Sequence, residues 1–196
     1  MKERPILFST PMVKAILEGR KTMTRRAVKM HRDCHEDMEL QPTPNRLDLY
    51  YPKRPEEGVL GIRCPYGQPG DRLWVRESYA PRYFDGGKHG YKADWDGRSA
   101  DVVPEPKWKP SIHMPRSACR ILLEVTAVRV ERLQGMKYAD FKSEGMGTAL
   151  HGVWAVGRSE FASLWDSINA KRGHSWDSNP WVWVVEFARA KEAVDE

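Results

Sequence analysis

Residues 19–26 (GRKTMTRR) concentrate polar chemistry at one point of the chain and constrain its fold more than any other segment. Gly19 lies at the end of a predicted helix, and a strand is predicted to follow it. Side chains of an extended segment alternate between its two faces. One face would carry Thr22, Thr24 and Arg26, and the other Lys21, Met23 and Arg25. A local twist near Gly19 would still let Lys21 and Thr24 meet in one pocket.

The preceding residues predict a strand and then a helix. Residues 5–8 form a short apolar run, as expected of a buried strand. Thr10 and Pro11 suit the N-cap and the first turn of a helix, and apolar residues within 12–17 give that helix one buried face. Gly19 readily adopts the left-handed conformation that ends helices. We therefore expect this unit to hold the residues after Gly19 in a fixed position.

The segment and the elements before it resemble the opening of the ASCH domain family, a branch of the PUA-like β-barrels. That family begins with a short strand, a helix and the motif G-x-K-T-x-T-x-R. The motif positions are occupied here by Gly19, Lys21, Thr22, Thr24 and Arg26.

Weaker similarity follows at residues 69–77, 120–133 and 181–187. Each of these ranges contains an apolar run with β-branched or aromatic residues, such as 73–75 in the first, and each run is predicted to be a strand. The resemblance implies an α+β fold, namely a PUA-like mixed β-barrel with flanking helices and long inserted loops. It also implies one domain over residues 1–196, with insertions at about 28–69 and 78–118.

Length and charge set broad limits on function. A chain of 196 residues suits one domain with its own core. The formal net charge of +5 makes polyanions reasonable partners. Basic residues cluster early in the chain at Arg20, Lys21, Arg25, Arg26, Lys29 and Arg32. Such a cluster would bind phosphate-bearing ligands in a salt-sensitive way, although an ordinary solvated face has the same pattern.

The sequence predicts neither export nor a membrane span. Its first residues lack the apolar run of a signal peptide, and no stretch approaches the ~20 apolar residues of a membrane helix. Cys34, Cys64 and Cys119 are scattered and odd in number, which is typical of reduced thiols. We therefore expect a cytoplasmic protein without membrane partners.

Residues 28–69 contain several prolines and no regular hydrophobic period, which predicts a long irregular insertion. Zinc-ligating atoms are present at His31, Cys34, His35 and Cys64. Structural zinc sites usually combine two closely spaced pairs of ligands, and Cys64 has no close partner in the sequence. We predict a reduced cysteine and surface histidines here, and no metal.

A second irregular region is predicted at residues 78–110, with a short strand near 91–93. Its aromatic residues include Tyr79, Tyr83, Tyr91, Trp95 and Trp108. Such rings stack on the bases of single-stranded nucleic acids, where each stack contributes about 1–3 kcal/mol. Aromatic residues in long loops more often pack the loop onto its own domain, and we favour that interpretation.

Two later helices are predicted from apolar spacing. A short one is expected at 137–143, with Tyr138 and Phe141 on one face. A longer one is expected between a Ser159 cap and Gly173. Its predicted core stripe is Phe161, Leu164, Trp165 and Ile168.

The resemblance gives importance to Glu144, which follows the short predicted helix. In the ASCH enzymes that remove an acyl group from N4 of cytidine, the acidic partner lies in a similar short helical segment, and residues 143–146 (SEGM) match its local sequence. The resemblance therefore implies that Lys21, Thr24 and Glu144 form a catalytic set.

These side chains have the chemistry that amide hydrolysis needs. A threonine hydroxyl becomes nucleophilic when a base removes its proton, and burial beside arginines would lower the pKa of Lys21 toward that of a general base. Thr24 would attack the acyl carbonyl and Glu144 would protonate the departing nitrogen. Arg26 or backbone amides would stabilise the oxyanion. Neither a metal nor an organic cofactor is required.

The expected ligand is a modified nucleoside or single-stranded RNA. Further binding residues are predicted at Arg20, Thr22, Arg25, Arg26, Trp74, Arg76, Glu77 and Tyr79. A single-stranded RNA-binding protein is an alternative, as is a metal-independent ribonuclease in which Lys21 assists attack by a ribose 2′-hydroxyl. A noncatalytic adaptor for RNA or protein is a third possibility, because fold does not fix function. The insertions would suit either a walled nucleoside pocket or a groove for a polymer.

Overall fold

The computed structural model of the chain describes residues 1–29, 39–43, 46–50, 59–97, 105–146 and 154–190. Sheets dominate these ranges and a few helices flank them, so the fold is α+β, as predicted. The strands are β1 (Glu3–Leu7), β2 (Met23–Ala27), β3 (Glu39–Thr43), β4 (Arg46–Tyr50), β5 (Val59–Arg63), β6 (Arg72–Arg76), β7 (Tyr79–Phe84), β8 (Lys88–Tyr91), β9 (Leu122–Arg132) and β10 (Trp181–Arg189). The helices are α1 (Thr10–Leu17), α2 (Tyr138–Ser143) and α3 (Trp154–Asn169).

The largest described sheet has five strands in the order β1-β6-β9-β10-β2. The β1–β6 pair is parallel and the other pairs are antiparallel. Strand β10 is buried on both faces, because Trp183 and Val185 belong to one hydrophobic core whereas Val182 and Val184 belong to another. The sheet therefore separates two cores, and the second core lies on the side of α2 and α3.

This sheet is open in the described part of the chain, so the predicted closed barrel is not seen there. Its edge strands are β1 and β2, which do not pair with each other. They nevertheless approach, because Arg26 of β2 donates a hydrogen bond to the Leu7 carbonyl of β1 at 2.6 Å. The Arg26 guanidinium also lies 5.3 Å from the centre of the Phe8 ring. A side chain, rather than a strand ladder, bridges the gap.

The first insertion contains a sheet where an irregular segment was predicted. The described strands β3, β4 and β5 pair antiparallel in that order. Pro42 lies in β3, an edge strand, where a missing N–H is tolerated. Leu47 of β4 is fully buried in the core that contains Trp183. The prolines obscured the strand pattern in the sequence, and burial against the main core stabilises these strands.

The second insertion contains a hairpin formed by β7 and β8. Aromatic rings of the insertion pack against one another. The ring centroids of Tyr83 and Trp95 are 6.3 Å apart, and those of Trp95 and Trp108 are 6.0 Å apart. Tyr79 is buried in a small separate core. These aromatic residues therefore pack within the second insertion, and packing of the loop onto the rest of the domain stays a prediction.

Helix starts differ from the predictions at two places. Ser9, and not Thr10, is the N-cap of α1, and it makes no side-chain capping hydrogen bond. Helix α3 begins at Trp154, so Ser159 lies inside it rather than at its cap. A serine or threonine near an apolar run indicates a helix start only to within a turn, because the cap is decided by local backbone geometry.

The predicted apolar faces of α2 and α3 are only partly buried. Phe141, Phe161 and Trp165 belong to the second core, but Tyr138 is 55% exposed. Leu164 and Ile168 are exposed as well, so the predicted core stripe of α3 is half correct. Within the described ranges, none of the helices combines the length and the apolar character needed to cross a bilayer.

Candidate functional site

Lys21 lies in the turn between α1 and β2. The backbone N–H groups of Arg20 and Lys21 both donate to the Ala15 carbonyl, at 2.8 and 2.9 Å. Gly19 has a φ of +72°, the left-handed conformation predicted for the end of this helix. The turn therefore fixes the Lys21 backbone before the strand begins.

The segment that carries Glu144 is joined to this turn through the backbone. Lys21 and Glu144 form an antiparallel bridge, and the Thr22 N–H donates to the Ser143 carbonyl at 2.8 Å. Glu144 is the C-cap residue of α2, and Gly145 follows it with a φ of +80°. Residues that are far apart in the sequence are thereby held side by side.

The Lys21 ammonium is buried and uses all three of its N–H groups. Its Nζ donates to the Met23 carbonyl at 2.7 Å, to the Glu144 carbonyl at 2.9 Å and to Glu144 Oε2 at 2.8 Å. The side chains of Lys21 and Glu144 are only 1% and 5% exposed. Burial lowers the pKa of Lys21 and the attraction of Glu144 opposes that shift, so the net direction agrees with the prediction.

Arg25 holds the second oxygen of Glu144. Its Nη1 lies 3.2 Å from Glu144 Oε1, and its Nη2 lies 2.6 Å from both Glu131 Oε1 and Asp140 Oδ2. The Arg25 side chain is fully buried. Because its guanidinium is paired with carboxylates, Arg25 holds Glu144 in place, and its binding of a ligand stays a prediction.

A cavity of about 500 Å³ opens beside Glu144. It lies between β2 and α3, with Met12 of α1 and Tyr66 also in its wall. The full lining is Met12, Thr24, Arg25, Arg26, Ala27, Lys29, Tyr66, Glu144, Phe161, Leu164, Trp165, Ile168, Asn169, Arg172 and His174. Thr24 and Glu144 therefore line the same cavity. The Lys21 ammonium is next to this cavity, because it donates a hydrogen bond to Glu144.

Basic side chains set the charge of this cavity. Arg26, Lys29 and Arg172 line it, and we call these three residues the cationic rim. Glu144 is the acidic residue of the lining, and it is already paired with Lys21 and Arg25. The cavity therefore carries an excess of positive charge.

Arg26 links the cationic rim to the core. Its guanidinium lies 5.3 Å from the Phe8 ring centre and 5.9 Å from that of Tyr66. Burial lowers the pKa of Arg26, and the nearby charge of Arg172 acts in the same direction. The side chain thus forms part of the cavity wall on the side of α1.

The sequence matches no family model and no curated protein. Among solved structures, the chain is similar to the crystal structure of an ASCH domain from Lactobacillus crispatus JV V101. The two chains are 13% identical, and the TM-score is 0.45. The match covers 96% of this chain and 79% of that chain. None of the roles assigned to the site rests on this similarity.

Two motif residues predicted to bind the ligand lie outside the cavity. Arg20 is exposed, forms an ion pair with Glu18 and donates to the Gly145 carbonyl at 3.0 Å. Thr22 is exposed and does not belong to the cavity lining. The predicted alternation is nevertheless present along the segment, because Lys21 in the turn and Arg25 in β2 both contact Glu144.

The predicted binding residues of β6, β7 and the link between them also lie away from the cavity. In the described sheet, β9 and β10 separate β6 from β2. The Arg76 guanidinium lies 5.4 Å from the Trp74 ring centre, and Glu77 is paired with Arg120 at 2.9 Å. Tyr79 is buried in its own small core. These contacts account for the positions of the four side chains, and their predicted role in ligand binding stays a prediction.

Of the four candidate zinc-ligating residues, Cys64 lies within the described part of the chain. His31, Cys34 and His35 lie outside the described residues. Cys64 is buried, and burial raises the pKa of its thiol to about 11. Among the residues that the structure describes, no group of three or more potential ligands could hold a metal ion.

Several site residues escaped the sequence analysis. Leu164 and Ile168 were predicted to lie in the core, but they line the cavity. Asp140, which pairs with Arg25, also accepts a hydrogen bond from the Lys137 N–H at 2.8 Å in a capping box. A capping box can be predicted from the local sequence. The pairing of Asp140 with Arg25 cannot, because the two residues are far apart in the chain.

A second cavity of about 680 Å³ lies on the other side of segment 64–68. Tyr66 lines the first cavity, whereas Cys64 and Gly67 line the second. Charged residues dominate this second lining, which includes Lys2, Arg4, Arg46, Arg63 and Asp71. Two basic cavities thus flank one short segment.

Proposed function

We propose that the protein is an ASCH-type hydrolase that removes the acyl group from N4-acylated cytidine. The observation that carries this proposal is the buried Lys21–Glu144 ion pair beside a cavity whose wall contains Thr24. The motif residues 19–26 support the assignment to the ASCH type.

The ion pair can supply both the base and the acid of the reaction. Lys21 Nζ donates three hydrogen bonds as an ammonium, so it must lose a proton before it can accept one. Transfer of that proton to Glu144 Oε2, 2.8 Å away, gives a neutral amine and a carboxylic acid. A ligand that excludes water from the cavity favours this neutral pair, because desolvation disfavours charge.

The proposed reaction proceeds in two balanced steps. Thr24 Oγ1 attacks the acyl carbon and gives its proton to Lys21, and the C–N4 bond breaks while Glu144 protonates the leaving nitrogen. Cytidine leaves and an acyl ester remains on Thr24. Lys21 first returns its proton to Glu144 Oε2 and becomes a neutral amine again. Water then attacks the ester carbon and gives a proton to Lys21, while Glu144 protonates Thr24 Oγ1 as the C–O bond breaks, which releases the carboxylic acid and restores the threonine hydroxyl. Arg26 lies on the same strand and would stabilise the oxyanion.

The cavity suits a flat, partly apolar ligand. Its volume of about 500 Å³ falls within the usual range for small-molecule sites. Helix α3 contributes Phe161, Leu164, Trp165 and Ile168 to the wall, and Tyr66 contributes another ring. These side chains would contact the faces of a pyrimidine while polar groups of β2 reach its exocyclic nitrogen.

Release of acetate from N4-acetylcytidine tests this function. We expect turnover by the unmodified protein, and Thr24→Val to abolish it because valine retains the shape but not the nucleophile. Thr22→Val is the matched control, since Thr22 lies on the same segment outside the cavity, and it should retain full activity. Absence of acetate release at high protein concentration, or equal activity of both variants, would refute the proposal.

A second candidate, binding or cleavage of single-stranded RNA, is favoured by the two basic cavities on either side of segment 64–68. A polymer could place phosphates in both. Incubation of labelled single-stranded RNA with the protein in a chelator tests this candidate. Cleavage that Lys21→Met abolishes would support a ribonuclease, whereas salt-sensitive binding without cleavage would support an RNA-binding protein.

A further inference from the structure

The cationic rim has no acidic partner among the described residues, although it lines a cavity with a buried carboxylate. Arg26 donates to a backbone carbonyl, that of Leu7. No described carboxylate lies within ion-pair distance of Arg26, Lys29 or Arg172. Among the described residues of the lining, Glu144 is the acidic one, and it is held by Lys21 and Arg25. Within the described part of the chain, the positive charge of the rim is therefore not neutralised by a carboxylate.

The rim residues come from two elements that face each other across the cavity. Arg26 belongs to β2 and Lys29 follows that strand, whereas Arg172 lies in the short turn after α3. Placing Arg26 and Arg172 around one space costs electrostatic energy, because like charges repel. Nε of Arg26 is in addition buried and has no hydrogen-bond partner within the described structure. An anion between these elements would relieve both deficits.

We propose that the cationic rim binds a phosphate group of the ligand, so that the preferred substrate is a nucleotide rather than a free nucleoside. This inference rests on the proposed function only for the position of the base. The apolar wall of α3 would contact the pyrimidine, and the charged end of the same wall, at Arg172, would reach the phosphate. Guanidinium groups suit this task because their planar donors match phosphate oxygens.

The phosphate could be the monoester of a free nucleotide or an internal diester of RNA. Both present anionic oxygens to the rim, but only the free nucleotide fits wholly within one cavity of about 500 Å³. Binding of cytidine monophosphates and of a cytidine-containing trinucleotide, compared side by side, distinguishes the two sources. Tighter binding of the trinucleotide assigns the phosphate to RNA, and tighter binding of a monophosphate assigns it to a nucleotide.

Isothermal titration calorimetry with cytidine, cytidine 5′-monophosphate and cytidine 3′-monophosphate tests the rim without requiring turnover. We expect at least one monophosphate to bind about tenfold more tightly than cytidine, since a charge-assisted hydrogen bond contributes about 1.5 kcal/mol or more. Arg172→Gln and Lys29→Gln should each remove most of this preference, because they weaken binding of the monophosphate far more than binding of cytidine. Both residues are exposed, so neither change should unfold the protein.

Lys171→Gln is the matched control. Lys171 is adjacent to Arg172 and exposed, but it does not line the cavity. The Lys171→Gln substitution changes the net charge by the same amount as Arg172→Gln. It therefore separates binding at the rim from a general effect of charge. We expect Lys171→Gln to retain the preference for the phosphorylated ligand.

Equal affinities for cytidine and both monophosphates would overturn the inference, as would equal effects of Arg172→Gln and Lys171→Gln. Such results would leave acetate release from N4-acetylcytidine untouched, so the hydrolase function would stand. Conversely, phosphate-dependent binding without acetate release would refute the hydrolase and retain the phosphate site.

Discussion

At the residue scale, the most informative feature is one carboxylate shared by two buried cations. Glu144 forms an ion pair with Lys21 through Oε2 and another with Arg25 through Oε1. Both cations come from the same motif segment. Buried charges are costly unless they are paired. The sequence predicted Lys21 and Glu144 as partners through the family resemblance. It assigned Arg25 to the ligand, because nothing local indicates that an arginine will meet carboxylates that lie more than a hundred residues later.

Glu144→Gln should destabilise the fold by about 3 kcal/mol, because it leaves the buried Lys21 ammonium without its countercharge, whereas Arg25 keeps Glu131 and Asp140. Urea unfolding at neutral pH measures this loss. Arg116→Gln serves as the control, since Arg116 pairs with Glu3 in an ion pair whose side chains are 44% and 37% exposed. That pair should contribute less than about 1 kcal/mol. A loss in Glu144→Gln no larger than in the control would show that the site is hydrated.

Cys64 provides a prediction on pH. Its thiol ionises at about 11 in the fold instead of at its ordinary value of 9.0, because burial disfavours the thiolate. The raised pKa contributes stability that is fully present below pH 9.0 and is lost as the pH rises to about 11. We expect a decline of up to about 3 kcal/mol across this window.

The free energy of unfolding of the unmodified protein and of Cys64→Ala, compared across that window, isolates the contribution of this thiol. Other titrating groups act in both proteins and cancel in the difference. The stability advantage of the unmodified protein should shrink as the pH rises. A difference that stays constant with pH would contradict the prediction.

At the element scale, the site depends on how tightly α2 ends against the turn after α1. A Cβ atom at Gly145 would lie 2.9 Å from the Cβ atoms of both Ala15 and Lys21. Gly145 also has a φ of +80°, where side chains are strained. Glycine is thus required at position 145 for two reasons. It adopts the left-handed conformation, and it allows the close approach that brings Glu144 to Lys21.

Gly145→Ala should destabilise the protein by roughly 3 kcal/mol or more, because strain and overpacking combine. Gly173→Ala is the matched control, since Gly173 has a φ of +82° but no atom within 4 Å of an added Cβ. It should cost only the conformational strain, about 1 kcal/mol. Thermal unfolding followed by circular dichroism compares the two variants. Equal losses would show that the contact with Lys21 is loose.

Helix α3 shows what apolar spacing can and cannot predict. The spacing of Phe161, Leu164, Trp165 and Ile168 predicted a helix with one apolar face, and the helix is present. It did not predict that all four line a cavity, with Phe161 and Trp165 buried and Leu164 and Ile168 exposed. Periodicity reports which residues share a face, and the distance to the next element decides whether that face is covered.

At the scale of the whole molecule, the first insertion is part of the main core. The prediction of an irregular segment was wrong because its strands are stabilised by long-range burial rather than by local preference. Leu47 of β4 packs in the same cluster as Leu73 of β6 and Trp183 of β10. The insertion and the main sheet should therefore unfold together.

Leu47→Ala should reduce the free energy of unfolding by about 2–5 kcal/mol, the usual cost of a large-to-small change in a core. Leu164→Ala is the control, because Leu164 is 37% exposed and should cost much less. Tryptophan fluorescence and circular dichroism should give coincident transitions for the unmodified protein. A separate early transition would show that the insertion folds independently.

The sequence by itself determined the local elements whose causes are local. Apolar runs, a glycine at the end of α1 and the motif at residues 19–26 were sufficient to place β1, α1, β2, β6, β9 and β10 near their observed positions. The tertiary structure decided whether the sheet closes, which arginine pairs with carboxylates and which donates to a backbone carbonyl, and which apolar side chains line a cavity. These outcomes depend on contacts between residues far apart in the chain, and such contacts exist only after the sheet and α3 have packed.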